Sequence, residues 1–169
     1  FMHRNSMPTR EEQKEIFGSA LKAMNGRPLT IRTLDIGGDK SLPYLPQERE
    51  ENPFLGVRGL RFCQKHLGIF LTQMHALFEV GQEGPLQIMV PMVANIEEIQ
   101  FLRSFIEQLM REGNYKVRPR IGIMLEVPSL IFLLEEVAKL VDFISIGSND
   151  LTQYLMAADR QHPGDRKSV

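Results

Sequence analysis

Residues Arg120-Ile121-Gly122-Ile123-Met124-Leu125-Glu126-Val127-Pro128 decide the fold. An apolar run of strand length that ends on a carboxylate and meets a proline reads as a buried strand. Proline suits the first turn of a following helix, here predicted over Leu130 to Leu140. Downstream, Val141-Asp142-Phe143-Ile144-Ser145-Ile146 is another apolar strand. Gly147-Ser148-Asn149-Asp150 then turns the chain into a helix with Leu151, Tyr154 and Leu155. Upstream, Leu86 to Met92 is a third strand, and Asn95 caps a helix to about Arg111 carrying Ile96, Ile99, Leu102, Phe105, Ile106 and Leu109. Earlier still, residues 57–80 read as one helix and Leu29 to Ile36 as a β-branched strand closed by Gly37-Gly38. Residues 8–25 read as a helix with Thr9 and Glu12 in capping-box spacing and Asn25-Gly26 as the stop. Strict alternation with continuous apolar strands predicts a parallel sheet covered by helices. Two architectures remain open: a doubly wound sheet, or part of a (β/α)8 barrel, which needs about 250 residues when complete.

The chain has 169 residues, 43% of them hydrophobic and 24% charged. Those values are those of a globular domain. Twenty basic and 21 acidic residues leave a net charge of −1, which removes the electrostatic case for a general nucleic-acid binder. One cysteine excludes an internal disulfide framework and fits a reducing cytoplasm. No apolar run approaches the roughly 20 residues of a membrane helix. The sequence holds no G-x-x-x-x-G-K-[ST], G-x-G-x-x-G or H-E-x-x-H run, which disfavours those nucleotide and zinc chemistries.

In either architecture the chemistry sits at the carboxyl ends of the strands. The strand starting at Leu29 carries Arg32 and Asp35 and runs into Gly37-Gly38-Asp39-Lys40. Other strands end in Pro91-Met92, in Glu126, and in Ser148-Asn149-Asp150. Residues 37–56, punctuated by glycine and proline, form a long loop of the kind that is usually functional or disordered. Glu126 and Asp150 are two hard oxygen ligands at one rim, which suits Mg²⁺ when a phosphorylated substrate supplies further ligands. Arg32, Arg58 and Arg160 add guanidinium groups that bind phosphate and carboxylate bidentately. Plainer roles stay open for several of these residues. Arg32 can be an ion-pair partner of Asp35 or Asp39, Glu126 a capping carboxylate of the next helix, and Asn149-Asp150 a helix N-cap. Cys63 falls on an apolar helix face and reads as core; His66 and His75 read as structural or exposed; Arg61, Arg103 and Arg111 read as helix surface.

Five runs in one order carry a resemblance: Ile31-Arg32-Thr33-Leu34-Asp35-Ile36-Gly37-Gly38-Asp39-Lys40, Glu51-Asn52-Pro53-Phe54-Leu55-Gly56-Val57-Arg58, Met124-Leu125-Glu126-Val127-Pro128, Ser145 to Tyr154, and Ala158-Asp159-Arg160. The series resembles the phosphoenolpyruvate-protein phosphotransferases, the enzyme I family of the bacterial phosphotransferase system. It resembles the phosphoenolpyruvate synthases and pyruvate phosphate dikinases less well. The resemblance implies an α/β fold: a segment of a (β/α)8 TIM-type barrel, about four parallel strands with flanking helices, binding phosphoenolpyruvate and Mg²⁺. It implies that Arg32 binds the substrate phosphate, that Asn149 and Asp150 bind phosphoenolpyruvate, and that Arg160 contacts substrate. Arg58 and Lys40 match positions at the same site. Glu126 and Asp150 match the magnesium ligands.

The family's phosphorylated histidine lies on another domain, and none of His3, His66, His75 or His162 matches it. Its proton-donating cysteine follows a later strand, and Cys63 is not that residue. The expectation is therefore a partial barrel domain over 1–160, covering strands three to six, with a polar tail over 161–169 and no catalytic residue of its own. Such a piece is expected to self-associate, domain-swap or be poorly stable, and to transfer no phosphate alone. The family's partners imply a homodimer in the cytoplasm that passes phosphate to a histidine-containing phosphocarrier protein, with no nucleic-acid or membrane partner. A non-catalytic folding or dimerisation module is the alternative from another class.

Overall fold

The computed structural model describes residues 5–37, 42, 44–45 and 50–159. Its sheet has four strands: β1 (Leu29–Arg32), β2 (Leu86–Val90), β3 (Arg120–Leu125) and β4 (Phe143–Ile146). They lie in the order β1-β2-β3-β4, and every neighbouring pair is parallel. The helices are α1 (Arg10–Ala23), α2 (Leu60–Lys65), α3 (Leu67–Val80), α4 (Ile96–Glu112), α5 (Leu134–Val137) and α6 (Ser148–Met156). Short 3₁₀ turns cover Pro53–Leu55 and Pro128–Leu133. Strands laid down consecutively and in parallel are consistent with a segment of a (β/α)8 barrel, as the resemblance implies.

The side chains of a strand alternate, and the two faces of this sheet differ accordingly. Ile88, Val90, Ile121 and Ile123 point to the covered face and are fully buried. They meet Phe70, Met74, Leu77, Phe78, Ile99, Leu102 and Ile106 of α3 and α4 in one core. The opposite face carries Thr30, Arg32, Gln87, Met89, Met124, Phe143 and Ser145, all half-buried or exposed. Thr30 donates to Gln87 Oε1 across β1 and β2 on that face, at 3.0 Å.

Local signals act where the sequence puts them. Thr9 and Glu12 form a full capping box on α1. Asn95 Oδ1 accepts from the Glu98 N–H at 2.8 Å and opens α4, whose buried residues Ile99, Leu102, Ile106 and Leu109 recur at helical spacing. Among the described residues, no helix is long and apolar enough to cross a membrane.

Three expected elements come out differently. The helix over 57–80 starts only at Leu60 and breaks at His66, two residues before Gly68, a poor helix former. The helix over 130–140 is a 3₁₀ stretch followed by a single α turn. The strand over 29–36 ends at Arg32, and after the Thr33 N–H bond to the Met89 carbonyl its next polar groups are claimed from elsewhere. The Leu34 N–H donates to Gln73 Oε1 of α3 at 2.9 Å, and Asp35 turns to Arg58.

Gly122 shows how tightly β3 and β4 fit. It pairs with Phe143, and a Cβ placed on it would lie 2.5 Å from the Phe143 ring. Gly122→Val is therefore expected to cost about 1–3 kcal/mol by overpacking, seen as a fall of several degrees in the unfolding midpoint. Adding Phe143→Ala should recover part of that loss, since the ring is what the new methyl groups strike.

Candidate functional site

Four parallel strands bring their carboxyl ends to one edge of the sheet, and the site assembles there. Past Arg32 the chain stays extended, held by the Thr33 N–H to the Met89 carbonyl at 2.9 Å, and it delivers Asp35 to the interior. At Gly37, φ is +110°, and a side chain there would collide with the Val57 carbonyl and the Arg58 backbone. Glycine is the residue that tolerates both the angle and the approach. The Gly59 N–H donates to the Ile36 carbonyl at 3.1 Å, so the backbone on either side of Arg58 is locked to the end of β1.

Arg58 is the largest fully buried side chain, 1% exposed. Its guanidinium lies between two carboxylates from distant parts of the chain. Nε donates to Asp35 Oδ1 at 3.2 Å and Nη2 to Asp35 Oδ2 at 3.3 Å. Nη1 donates to Asp150 Oδ1 at 3.0 Å and Nη2 to Asp150 Oδ2 at 3.2 Å. The Phe54 ring lies 5.8 Å below the guanidinium carbon. Burial alone would favour the neutral form, but the hydrogen bonds and charges of Asp150 and Asp35 outweigh it and raise the Arg58 pKa above its ordinary value.

Asp150 sits in the first turn of α6, which starts at Ser148 with Gly147 in the capping position, so Asn149-Asp150 do not form the N-cap. A second tie holds α6 to the same region: the Tyr154 hydroxyl donates to the Phe54 carbonyl at 2.5 Å. Burial raises the Tyr154 pKa, opposed by the nearby Arg58 charge.

Glu126 directly follows β3 and is 1% exposed. Its Oε1 accepts from the Met92 N–H at 2.7 Å, so it reaches the end of β2 rather than capping the helix that follows it. Met92 adopts φ +59°, a left-handed backbone that is costly for a residue with a side chain and that stands beside this site. Gly147 lies against Glu126 so closely that a Cβ there would come within 2.7 Å of Oε2. Burial pushes the Glu126 carboxyl up to about 7; the Met92 bond opposes the rise, and the charges of Asp150 and Asp35 add to it.

The other expected residues divide. Arg32 is exposed on the open face, with Nη2 3.8 Å from Asp35 Oδ2 and Nη1 3.9 Å from the Met124 sulfur. Asn149 is exposed at the start of α6. Lys40 and Arg160 lie outside the described residues. Cys63 is buried, and desolvation pushes its thiol up to about 12, which makes it an inert core group. His75 lies 2.7 Å from the Tyr115 hydroxyl, and burial lowers its pKa. Arg61 and Arg103 bind backbone carbonyls on the surface. Sequence reasoning assigned no site role to Asp35, Phe54, Tyr154 or the Met92 N–H. All but Met92 stand inside the runs that carry the resemblance, so position within those runs was the available signal.

Among the described residues, no group of three or more His, Cys, Asp or Glu side chains converges on one point as a metal cage. That is no obstacle to Mg²⁺, which keeps waters and uses one or two carboxylates together with substrate phosphates. Asp150 and Glu126 bring buried carboxylate oxygens to this edge, the hard ligands such an ion takes. A divalent cation fits such a site.

A sheet edge bearing buried carboxylates and arginines is the setting of a phosphometabolite-binding α/β domain. The chain matches the family "PEP-utilising enzyme, PEP-binding domain" over residues 1–167, and it belongs to that family. It is 49% identical over 166 residues to the phosphoenolpyruvate-protein phosphotransferase of Staphylococcus epidermidis, covering 95% of this chain and 29% of that protein. It is 49% identical over 164 residues to the multiphosphoryl transfer protein of Rhodobacter capsulatus, covering 96% of this chain and 20% of that protein. With the Escherichia coli protein named phosphoenolpyruvate-dependent phosphotransferase system the identity is 46% over 168 residues, or 96% of this chain and 22% of the relative. The chain thus spans less than a third of the length of these relatives.

The Glu126 pKa has a direct consequence for stability. In the folded protein it lies near 7, above its ordinary 4.5, so the stability this group contributes is complete below 4.5 and is lost as pH rises through 7. Glu126→Gln keeps an acceptor for Met92 and removes the charge. Without divalent cations, it should match the wild type at pH 4.5 and be more stable at pH 8. The expected difference is on the order of 3 kcal/mol, measured by denaturant unfolding at both pH values.

Proposed function

We propose that this chain is the phosphoenolpyruvate- and Mg²⁺-binding part of a phosphotransferase that moves the phosphoryl group of phosphoenolpyruvate to a histidine and on to a phosphocarrier protein, releasing pyruvate. The observation that carries the reading is the buried Asp35–Arg58–Asp150 cluster beside Glu126, at the strand edge of a chain in a phosphoenolpyruvate-binding family. The three relatives above, named for phosphotransfer or phosphoryl transfer, favour this branch over a synthase or dikinase.

Each residue has a physical part. Asp150 and Glu126 supply oxygen ligands for Mg²⁺, which when bound neutralises charge on the phosphate and carboxylate of the substrate. Arg32, exposed and loosely paired, has donors to offer the phosphoryl oxygens and spread their charge. Asn149, exposed at the start of α6, is assigned to substrate together with Lys40 and Arg160 by their places in the runs. Arg58, held between carboxylates, keeps the ligand set in order. The phosphoryl-accepting histidine and the proton donor to the enolate are assigned to other parts of the assembled enzyme. We assign that enzyme to the cytoplasm, as a homodimer.

Thermal unfolding with and without phosphoenolpyruvate plus Mg²⁺ tests this. Ligand at about 100 times its dissociation constant adds about 2.7 kcal/mol, a midpoint rise of several degrees. The rise should require Mg²⁺ and should vanish in Asp150→Asn. An equal rise in that variant, or none in the wild type, would count against the assignment.

A further inference from the structure

The Arg58 cation is shared. Two buried carboxylates each bind it through two hydrogen bonds. Asp150, the partner on α6, is also the residue assigned to the metal. A guanidinium and a divalent cation compete for the same two oxygens, and whatever holds the guanidinium back leaves Asp150 more available. Asp35 is placed to do that. Its two contacts take the Nε–Nη2 edge of the guanidinium, next to the Nη1–Nη2 edge that faces Asp150, and it is itself buried three residues past the end of β1.

We infer that Asp35 is a positioning residue for the metal site: by holding Arg58 along the adjacent edge of its guanidinium, it limits how much of that cation Asp150 must neutralise and so sets the divalent-cation affinity of Asp150. The inference rests on the proposed metal role of Asp150 and extends it to a residue that binds neither metal nor substrate. Removing the Asp35 charge throws the whole guanidinium onto Asp150. Groups that hold and orient ligands in this way typically change metal affinity by 10- to 100-fold when altered.

The test is titration with Mn²⁺ as a spectroscopic stand-in for Mg²⁺, following free Mn²⁺ by electron paramagnetic resonance, without phosphoenolpyruvate. Asp35→Asn is expected to weaken Mn²⁺ binding at least tenfold. Adding Arg58→Met to Asp35→Asn removes the competing cation and should restore binding to the wild-type level or better, a rescue that mere loss of structure would not give. If Asp35→Asn alone does not fold, Asp35→Glu, which keeps the charge and shifts its carboxylate, replaces it, and a Mn²⁺ affinity equal to the wild type in that folded variant overturns the inference. Unchanged affinity in a folded Asp35→Asn, or a double variant at least tenfold weaker than wild type, would overturn the inference. A wild type that binds no Mn²⁺ would instead overturn the metal assignment beneath it, and the two failures are distinct.

Discussion

A guanidinium with almost no exposure to solvent is the constraint around which this structure is arranged. Burying a charge is expensive, and it persists only where partners replace the lost water. Arg58 has those partners in Asp35 and Asp150, which stand 23 and 92 residues away along the chain. Satisfying it requires the end of β1, the start of α2 and the first turn of α6 to meet at one point. Loss of either carboxylate from such a pair costs about 3–5 kcal/mol, a large part of a domain's whole stability. The same contact is therefore a folding constraint and the skeleton of the site.

The remaining geometry follows from close approaches. Gly37 lets the Val57–Arg58 backbone pass against the end of β1, and Gly147 lets Glu126 lie against the turn into α6. The Gly147 N–H donates to the Leu125 carbonyl at 3.0 Å, so that turn is fixed to the end of β3, one residue before Glu126. Tyr154, through the Phe54 carbonyl, holds α6 to the 3₁₀ turn that places an aromatic ring under Arg58. Two runs far apart in sequence, Asn52 to Arg58 and Ser148 to Tyr154, thus face each other through two separate contacts.

What was legible in the sequence was local or periodic. The Thr9–Glu12 box, the Asn95 cap and the apolar strands need only near neighbours and alternation, and each appears where those signals put it. Glu126 and Asp150 were legible as strand-end carboxylates because a parallel sheet sends all such ends to one edge. The interruption at His66 and the 3₁₀ winding after Pro128 were not, since helical periodicity continues through both. Nor was the burial of Arg58. An arginine after a Gly- and Pro-rich loop has the look of a free anion ligand, and only the convergence of two distant carboxylates makes it an interior residue.

Arg32 and Arg58 show how one residue type takes two parts at one sheet edge. The Arg32 side chain is 42% exposed and lies 3.8 Å from Asp35, which already serves Arg58. A pair of that kind is worth little, at most about 1 kcal/mol, so a phosphate can displace it at almost no cost. Arg58 sits in four hydrogen bonds away from water, and giving them up to a ligand would take two bonds from each of two buried carboxylates. Exposure therefore decides the division of labour: the loosely held guanidinium is the one with donors to exchange for an anion, and the buried one keeps the carboxylates beside it in place.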